Sequence, residues 1–387
     1  MPILNRAAEM QAEIAGWRRQ LHQMPELLFD LFETSKFVED KLKEFGCDEV
    51  VTGIARTGVV AIIKGRLGAG DVIGLRSDMD ALPITEATGV PHTSKNPGVM
   101  HACGHDGHTA MLLGAAKYLA ETRNFAGSVA VIFQPAEEGG GGGNVMVKEG
   151  IMERFGINKV FGMHNMPGLP VGTFATRPGA IMAATAEFTI TVKGKGGHAA
   201  MPHTTIDPIV VASHIVTAFQ SIVSRNADPI ESLVISVTKF HAGDAYNVIP
   251  GQAELAGTVR TLKKEVAALA RERMHAVCAG AAEAFGAEVL VDYDANYPVT
   301  FNHAEETVFA GDVAAAVAGE AGTARDIAPL MGGEDFSYML EARPGAFIFM
   351  GNGDTANLHH PGYDFNDEAI PHGVSYWVKL AETALAA

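Results

Sequence analysis

The sequence predicts an α/β protein of two domains: a discontinuous domain with a largely parallel central sheet, and a smaller βαββαβ domain inserted into it. Three observations predict this. The chain is 387 residues long, beyond the usual size of one compact core. Its first half alternates short branched-aliphatic runs with helical patterns, the signature of stacked βα units. Between residues 184 and 297 the pattern changes, and after Pro298 it returns.

The elements follow in order. "MPILNRAAEMQAEIAGWRRQ" reads as an amphipathic helix carrying charges throughout, not as a signal peptide. "GVVAIIKG" (58–65) and "DVIGLRSDMD" (71–80) read as buried strands. "GHTAMLLGAAKYLAET" places Met111, Leu112, Ala115, Ala116 and Leu119 at helical spacing. "SVAVIFQP" (128–135) and "KVFGMHN" (159–165) are again strand runs.

In the middle, "ATAEFTITVKG" (184–194) alternates as a half-exposed strand does. "IDPIVVASHIVTAFQSIVSR" (206–225) is a helix, "SLVISVTKFHAG" and "GQAELAGTVRT" are strands, "KKEVAALARERMHAVCAGAAEAFG" is a long helix and "AEVLVDYDA" (287–295) a last strand. The order is the split βαβ pattern of a small sandwich. Beyond it come helices, a strand at 346–351 and a C-terminal helix from about Asn366. The domains are therefore 1–183 with 298–387, and 184–297.

Composition excludes several functions. Lys and Arg number 29 against 45 Asp and Glu, a net charge of -16, which repels nucleic acid and anionic membranes. No run of about 18 uncharged apolar residues is present to span a membrane. The three cysteines, Cys47, Cys103 and Cys278, are too few and odd in number for a disulfide framework, and fit a reducing cytoplasm.

Potential ligands gather where strands end. "RSDMD" closes on Asp78 and Asp80, "FQPAEEGG" on Glu137 and Glu138, and "FGMHN" on His164. "HACGHDGHTA" (101–110) opens a helix with Cys103 and His105. In open α/β sheets ligands bind outside the carboxyl ends of the strands, so these ends are expected to converge. A closed structural zinc site would want Cys-x₂-Cys pairs, which are absent. Mixed Cys, His and Glu donors suit zinc or another borderline ion, and the carboxylates leave room for manganese or cobalt.

The adjacent Glu137 and Glu138 carry the most specific chemistry. Neighbours at a strand end point in different directions. One can bind a metal while the other faces the water that a metal makes acidic, and takes its proton. The bland alternative is a solvated turn. The five glycines at 139–143 weigh against it, because they let backbone crowd close to a site. They are not a P-loop, since no Gly-Lys-Ser/Thr follows.

"RSDMDALPI", "HACGHDGHTAMLLGAA", "IFQPAEEGGGGG", "GMHNMPGLPVG", "KGGHAAMPH", "NVIPGQAELAGTVR", "GGEDFSYM" and "NLHHPGYDFND" run in order from residue 76 to 367. As a set they resemble the hippurate hydrolase and N-acyl-amino-acid amidohydrolase branch of the aminoacylase/carboxypeptidase metallopeptidases, and are similar to plant auxin-conjugate hydrolases. The resemblance implies a two-metal catalytic domain, an inserted lid that forms a homodimer (a tetramer being the next assembly), and hydrolysis of a small N-acyl amino acid. The two divalent ions would be zinc, manganese, cobalt or nickel.

Carried over by position, the resemblance implies Cys103, His105, Glu138, His164 and His359 as metal ligands, His359 being chosen over His360 in "LHHP". It makes Glu137 the general base and later the acid, and Asp80 the orienter of a ligand imidazole. Asp78 stands where the wider superfamily has a histidine ligand, and Cys103 supplies the replacement. His198 would reach the neighbouring subunit's site and polarise the scissile carbonyl, while Asn247 and Arg260 hold the substrate carboxylate. A guanidinium fork suits that last task.

Other residues receive structural readings. His22, His214, His275 and His303 are expected on the surface or a helix face. His101 and His108 flank the ligands. Met79, Met100, Met111 and Met163 are expected as core filler. Glu334 and Asp335 lie in a motif without an assigned role. Two rival functions stand beside amide hydrolysis of N-acyl amino acids: a dipeptidase or carboxypeptidase of the same fold, and a non-catalytic ligand-binding relative. Intact Glu137 and ligands argue against the last.

Overall fold

The computed structural model describes residues 3–387. The chain opens with α1 (Asn5–Glu9), α2 (Gln11–Gln23) and α3 (Phe32–Glu44), followed by β1 (Glu49–Ile54), β2 (Gly58–Lys64) and β3 (Val72–Asp78). Then come α4 (His105–Thr122), β4 (Ser128–Gln134), α5 (Gly142–Lys148), α6 (Ile151–Arg154), β5 (Lys159–Pro167), β6 (Phe174–Ala175) and β7 (Gly179–Met182). The middle consists of β8 (Ala184–Lys193), β9 (Gly197–His198), α7 (Pro208–Ser221), β10 (Leu233–Ala242), β11 (Val248–Ile249), β12 (Gln252–Thr261), α8 (Lys264–Phe285) and β13 (Glu288–Tyr297). The chain closes with β14 (Thr300–Asn302), α9 (Ala304–Ala318), β15 (Thr323–Ala324), α10 (Ser337–Ala342), β16 (Gly345–Gly353) and α11 (Ile370–Ala384).

The chain divides into two compact units. One comprises residues 1–181, 300–328 and 335–387; the other comprises 182–299 with the short segment 329–334. The first unit holds an eight-stranded sheet in the order β1-β2-β4-β3-β5-β16-β6-β15. Its centre is parallel: β3 pairs with β4 and β5, and β5 with β16. These strands are rich in Val, Ile and Phe and buried along nearly their whole length, as parallel strands covered on both faces must be. Toward one edge, β1–β2 and β2–β4 are antiparallel. The sequence reading passed over β1, whose burial is too irregular for a buried-strand pattern.

Helix α4 is apolar nearly all round, and its buried residues run from His105 to Ala120. A helix of that kind belongs inside a domain. It packs with Met79, Met100, Met111 and Met163 in the core, where they act as filler. The N-terminal amphipathic stretch forms two helices, α1 and α2, parted at Met10; its first two residues, Met1 and Pro2, lie outside the described residues. At the other end a short 3₁₀ turn, capped by Asn366 accepting the Glu368 N–H at 3.0 Å, precedes α11.

The second unit is a four-stranded antiparallel sheet, β10-β12-β8-β13, with α7 and α8. Residues of β12 alternate between inside and outside, so one face is buried and one is open. Phe188, Ile190, Leu255, Ile215, Phe219 and Met274 form its core. Asp207 caps α7 by accepting the Ile209 N–H at 2.9 Å, and Pro208 sits at the first helical position. Among the described residues no helix is long and apolar enough to cross a membrane.

Candidate metal centre

Three strand ends and the start of α4 build the site. Strand β3 ends on Asp78, and the chain continues at once to Asp80. Strand β4 ends on Gln134, three residues before Glu137. Strand β5 pairs with β3 only as far as Gly162, but follows β16 on to Pro167. His164 thus stands inside its own strand, not at its end, yet beyond the part that β3 covers.

Helix α4 begins at His105 after Gly104, which adopts a φ of +86°. A Cβ there would meet Asn165 Nδ2 and Tyr363 Oη, each at 2.4 Å. Glycine is required both by the left-handed backbone and by that approach. Asn165 donates to the Cys103 carbonyl at 2.6 Å, and Tyr363 donates to Asn165 Oδ1 at 2.8 Å. The Cys103 turn is thereby held from β5 and from the chain near 363.

Around this frame Cys103, Glu138 and His359 bring potential ligand atoms within 4.8 Å of one another, as do His105, Glu137 and Glu138, and as do Asp78, His105, His108 and His164. Cys103 Sγ lies 3.4 Å from His164 Nε2. Glu138 Oε1 lies 3.2 Å from His359 Nε2 and 3.9 Å from His105 Nε2. All five ligands expected from the sequence therefore surround one small volume, with Glu138 central. His359 is the open side: its side chain is 52% exposed, and its φ is +64°. A non-glycine residue held there is strained, as functional residues often are. Its N–H is tied to the Ala102 carbonyl at 2.8 Å. His360 is turned to its own loop, where Nδ1 accepts the Gly362 N–H at 3.0 Å.

Does this set fit a divalent cation? His105 donates from Nδ1 to the Asp80 carbonyl at 2.9 Å, which directs the lone pair to Nε2. That buried Nε2 has no hydrogen-bond partner. Buried polar atoms rarely go unpaired unless a ligand or ion meets them. Burial alone would lower the His105 pKa, but Asp78, Asp80 and Glu138 lift it to about 10. Burial and the carboxylates of Glu138 and Glu137 push the Cys103 thiol up. Glu138 is held low, against its burial, by His359 and His105. The pocket concentrates negative charge on soft and hard donors and calls for cations.

Asp80 braces the catalytic-looking turn. Its two carboxylate oxygens accept the N–H groups of Glu137 at 3.1 Å and Glu138 at 3.0 Å. Ala136, just before them, has a φ of +54°. A Cβ on Gly142 would lie 1.7 Å from the Pro135 carbonyl oxygen. The glycine run therefore folds its backbone onto the turn itself, which is the crowding the sequence suggested.

Asp78 and His108 serve as supports. His108 donates from Nδ1 to Asp78 Oδ1 at 2.6 Å, and its Nε2 accepts the Asn165 N–H at 2.9 Å, so both nitrogens are occupied. Asp78 is held well below its usual range against its burial by His105, Arg76 and His108.

Of the two placements expected for His22, surface or helix face, the structure gives the second: it lies on the buried face of α2 and bonds Asp106 at 2.8 Å and Glu86 at 3.3 Å. Arg18, one turn earlier, pairs with Asp364 and Asp367 at 2.8 Å each. The signal for that burial is periodicity: Ile14, Arg18, Leu21 and His22 share one buried stripe of α2. A charge on such a stripe needs partners. His214 and His275 are exposed and His303 is half-buried at the start of α9. His101 is buried, and neither ring nitrogen has a hydrogen-bond partner.

The three remaining site candidates lie in the second unit. His198 is exposed on the β9–β11 ribbon opposite Val248, and its Nδ1 accepts the Ala200 N–H at 3.1 Å. Asn247, next to it, accepts the Ala199 N–H on its carbonyl at 3.1 Å. Arg260, on β12, donates to Thr258 Oγ1 at 2.8 Å and the Val259 carbonyl at 2.9 Å.

A model of peptidase family M20/M25/M40 matches residues 74–383. The chain belongs to this family. It is 44% identical to a hippurate hydrolase of Campylobacter jejuni, over 98% of this chain and 99% of that protein. It is 42% identical to an N-acetylcysteine deacetylase of Bacillus subtilis, over 96% and 97%. A crystal structure of a dinuclear metal-binding M20 peptidase from Bacillus subtilis superposes with a TM-score of 0.84 at 38% identity, covering 98% of this chain and 99% of that one. Like these M20 relatives, the chain is a metal-dependent amidohydrolase whose clustered donors suit two divalent ions.

Proposed function

We propose that the enzyme cleaves the amide bond of small N-acyl amino acids, N-benzoyl and N-acetyl derivatives among them, giving a carboxylic acid and a free amino acid. The observation that carries the reading is the Glu137–Glu138 turn beside the unpartnered Nε2 of His105. Relatives that are a hippurate hydrolase and an N-acetylcysteine deacetylase, matched end to end, support the substrate class.

Cys103, His105, Glu138, His164 and His359 would hold two divalent ions, zinc, manganese, cobalt or nickel, which supply Lewis-acid polarisation and lower the pKa of water. Glu137 takes the proton as a water oxygen adds to the amide carbon. It returns that proton to the nitrogen as the C–N bond breaks. Asp80 keeps Glu137 and Glu138 turned to different tasks and holds His105 in the tautomer that offers Nε2. His198, donating from Nε2 while Nδ1 is engaged with Ala200, stabilises the developing oxyanion. Asn247 and Arg260 bind the substrate carboxylate. The second unit acts as a lid that forms a homodimer, with a tetramer as the further assembly, and His198 serves the neighbouring subunit. Three free cysteines favour a cytoplasmic home.

The test is turnover across N-benzoyl, N-acetyl and indole-acetyl amino acids and plain dipeptides, on protein reconstituted with each of the four metals. Faster cleavage of N-acyl amino acids than of dipeptides is expected. Preference for dipeptides would instead make the enzyme a dipeptidase.

A further inference from the structure

The "GGEDFSYM" motif had no role in the sequence reading, and its aspartate is buried completely. Asp335 Oδ1 accepts Arg76 Nη2 at 2.9 Å and Gln134 Nε2 at 2.7 Å. Its Oδ2 accepts Gln134 Nε2 at 2.8 Å and the Gly143 N–H at 2.8 Å. Each donor leads to the metal centre. Arg76 spans two carboxylates, giving Nη1 to Asp78 Oδ2 at 2.7 Å, and Asp78 in turn holds His108. Gln134 is the last residue of β4, from which the Glu137–Glu138 turn springs. Gly143 closes that turn from the other side, at the start of α5.

We propose that Asp335 is a positioning residue for the metal centre: it clamps both ends of the 135–142 turn and so fixes where Glu138 and Glu137 point. The turn lacks side chains at 139–143, so its shape is left to backbone hydrogen bonds such as that from the Gly142 N–H to the Ala136 carbonyl at 3.0 Å, and to what holds it from outside. It is pinned from outside at two places, by Asp80 in its middle and by Asp335 at its ends. The approach at Gly143 is tight. A Cβ there would lie 2.8 Å from the Asp335 carbonyl oxygen and 3.2 Å from Asp335 Cγ. A neutral amide in place of the carboxylate presents one acceptor where three donors converge, and leaves Arg76 with a single anionic partner among these groups.

The inference rests on Glu138 as a ligand and Glu137 as base. Its test therefore reads the metal directly. Asp335→Asn would be prepared in full-length protein, loaded with cobalt(II), and compared with wild type by visible absorption, chelator competition and steady-state kinetics. A stability control, Val313→Ala in the core of α9, would be carried alongside. Expected are altered cobalt d–d bands, metal affinity reduced about 10–100-fold, and a fall in kcat with KM little changed; the control should show none of these. Gly143→Ala attacks the same contact from the other side, and decides the matter if Asp335→Asn does not fold. Wild-type cobalt spectra and affinity in either folded variant would overturn the proposal. Should Glu137→Gln keep full turnover, the base assignment would fall, while the cobalt spectrum of Asp335→Asn would still decide the clamp.

Discussion

Asp80 Oδ1 accepts the backbone N–H of Glu137 at 3.1 Å. The other oxygen does the same for Glu138, and the carbonyl of the same residue receives His105 Nδ1. One residue thus holds the backbone of the proposed base and of a proposed ligand, and sets the tautomer of His105. Asp80→Ala should leave a well-folded protein with kcat/KM reduced about 10–100-fold and a lower metal content. Asp80→Asn, offering one acceptor to two N–H donors, should recover only part. Metal analysis with steady-state kinetics checks this; full activity in Asp80→Ala would show that the turn holds itself.

The two glutamates should separate cleanly. Glu138 sits among His359, His105 and Cys103, and Glu137 stands beside it near His105, the backbone N–H of each held by Asp80. Glu137→Gln should keep near-normal metal content and lose about 100- to 10,000-fold in kcat, the usual loss for a missing general base. Glu138→Ala should lose metal first. The reverse pattern would exchange their roles.

How far the site could be read from sequence depends on whether its logic is local. Glu137–Glu138 and Cys103–His105 were legible because each falls beside a strand end or helix start, and His164 because it closes the apolar run of β5, although the strand itself continues to Pro167. The short strands were not: β6 and β15 are two residues each and carry no period. The roles of His22 and Asp335 were missed for a common reason. Their meaning lies in partners far along the chain, Asp106 and Glu86 for one, Arg76, Gln134 and Gly143 for the other. Periodicity tells which face is buried but not what waits there.

The buried His22 makes stability depend on pH. Burial would lower its pKa, but the Asp106 hydrogen bond and Glu86 outweigh it and raise the value from 6.5 to about 9. Glu86 is pulled down from 4.5 to about 2 despite its burial, chiefly by His22. The His22 contribution is complete below pH 6.5 and disappears as pH rises through 9; that of Glu86 is complete above 4.5 and disappears toward 2. Both are therefore present between about pH 4.5 and 6.5. The His22 shift corresponds to about 3 kcal/mol. His22→Gln should lower the melting temperature most near pH 6 and least near pH 10. A penalty independent of pH would mean that His22 is neutral in the folded protein.

Subunit exchange tests whether His198 serves another chain. It is exposed on a two-stranded ribbon of the second unit, with Nδ1 occupied by the Ala200 N–H. Two-fold pairing is the commonest oligomer symmetry, and it would give each site a histidine from the partner. His198→Ala and Glu137→Gln should each be nearly inactive as homodimers. In a heterodimer of the two, the site with an intact Glu137 lies on the His198→Ala chain, and the other chain supplies its histidine. That site is complete; its counterpart lacks both groups. Mixing should restore activity approaching half the wild-type value per heterodimer, with native mass spectrometry confirming exchange. Heterodimers that form and stay inactive would show that His198 works within its own chain or takes no part.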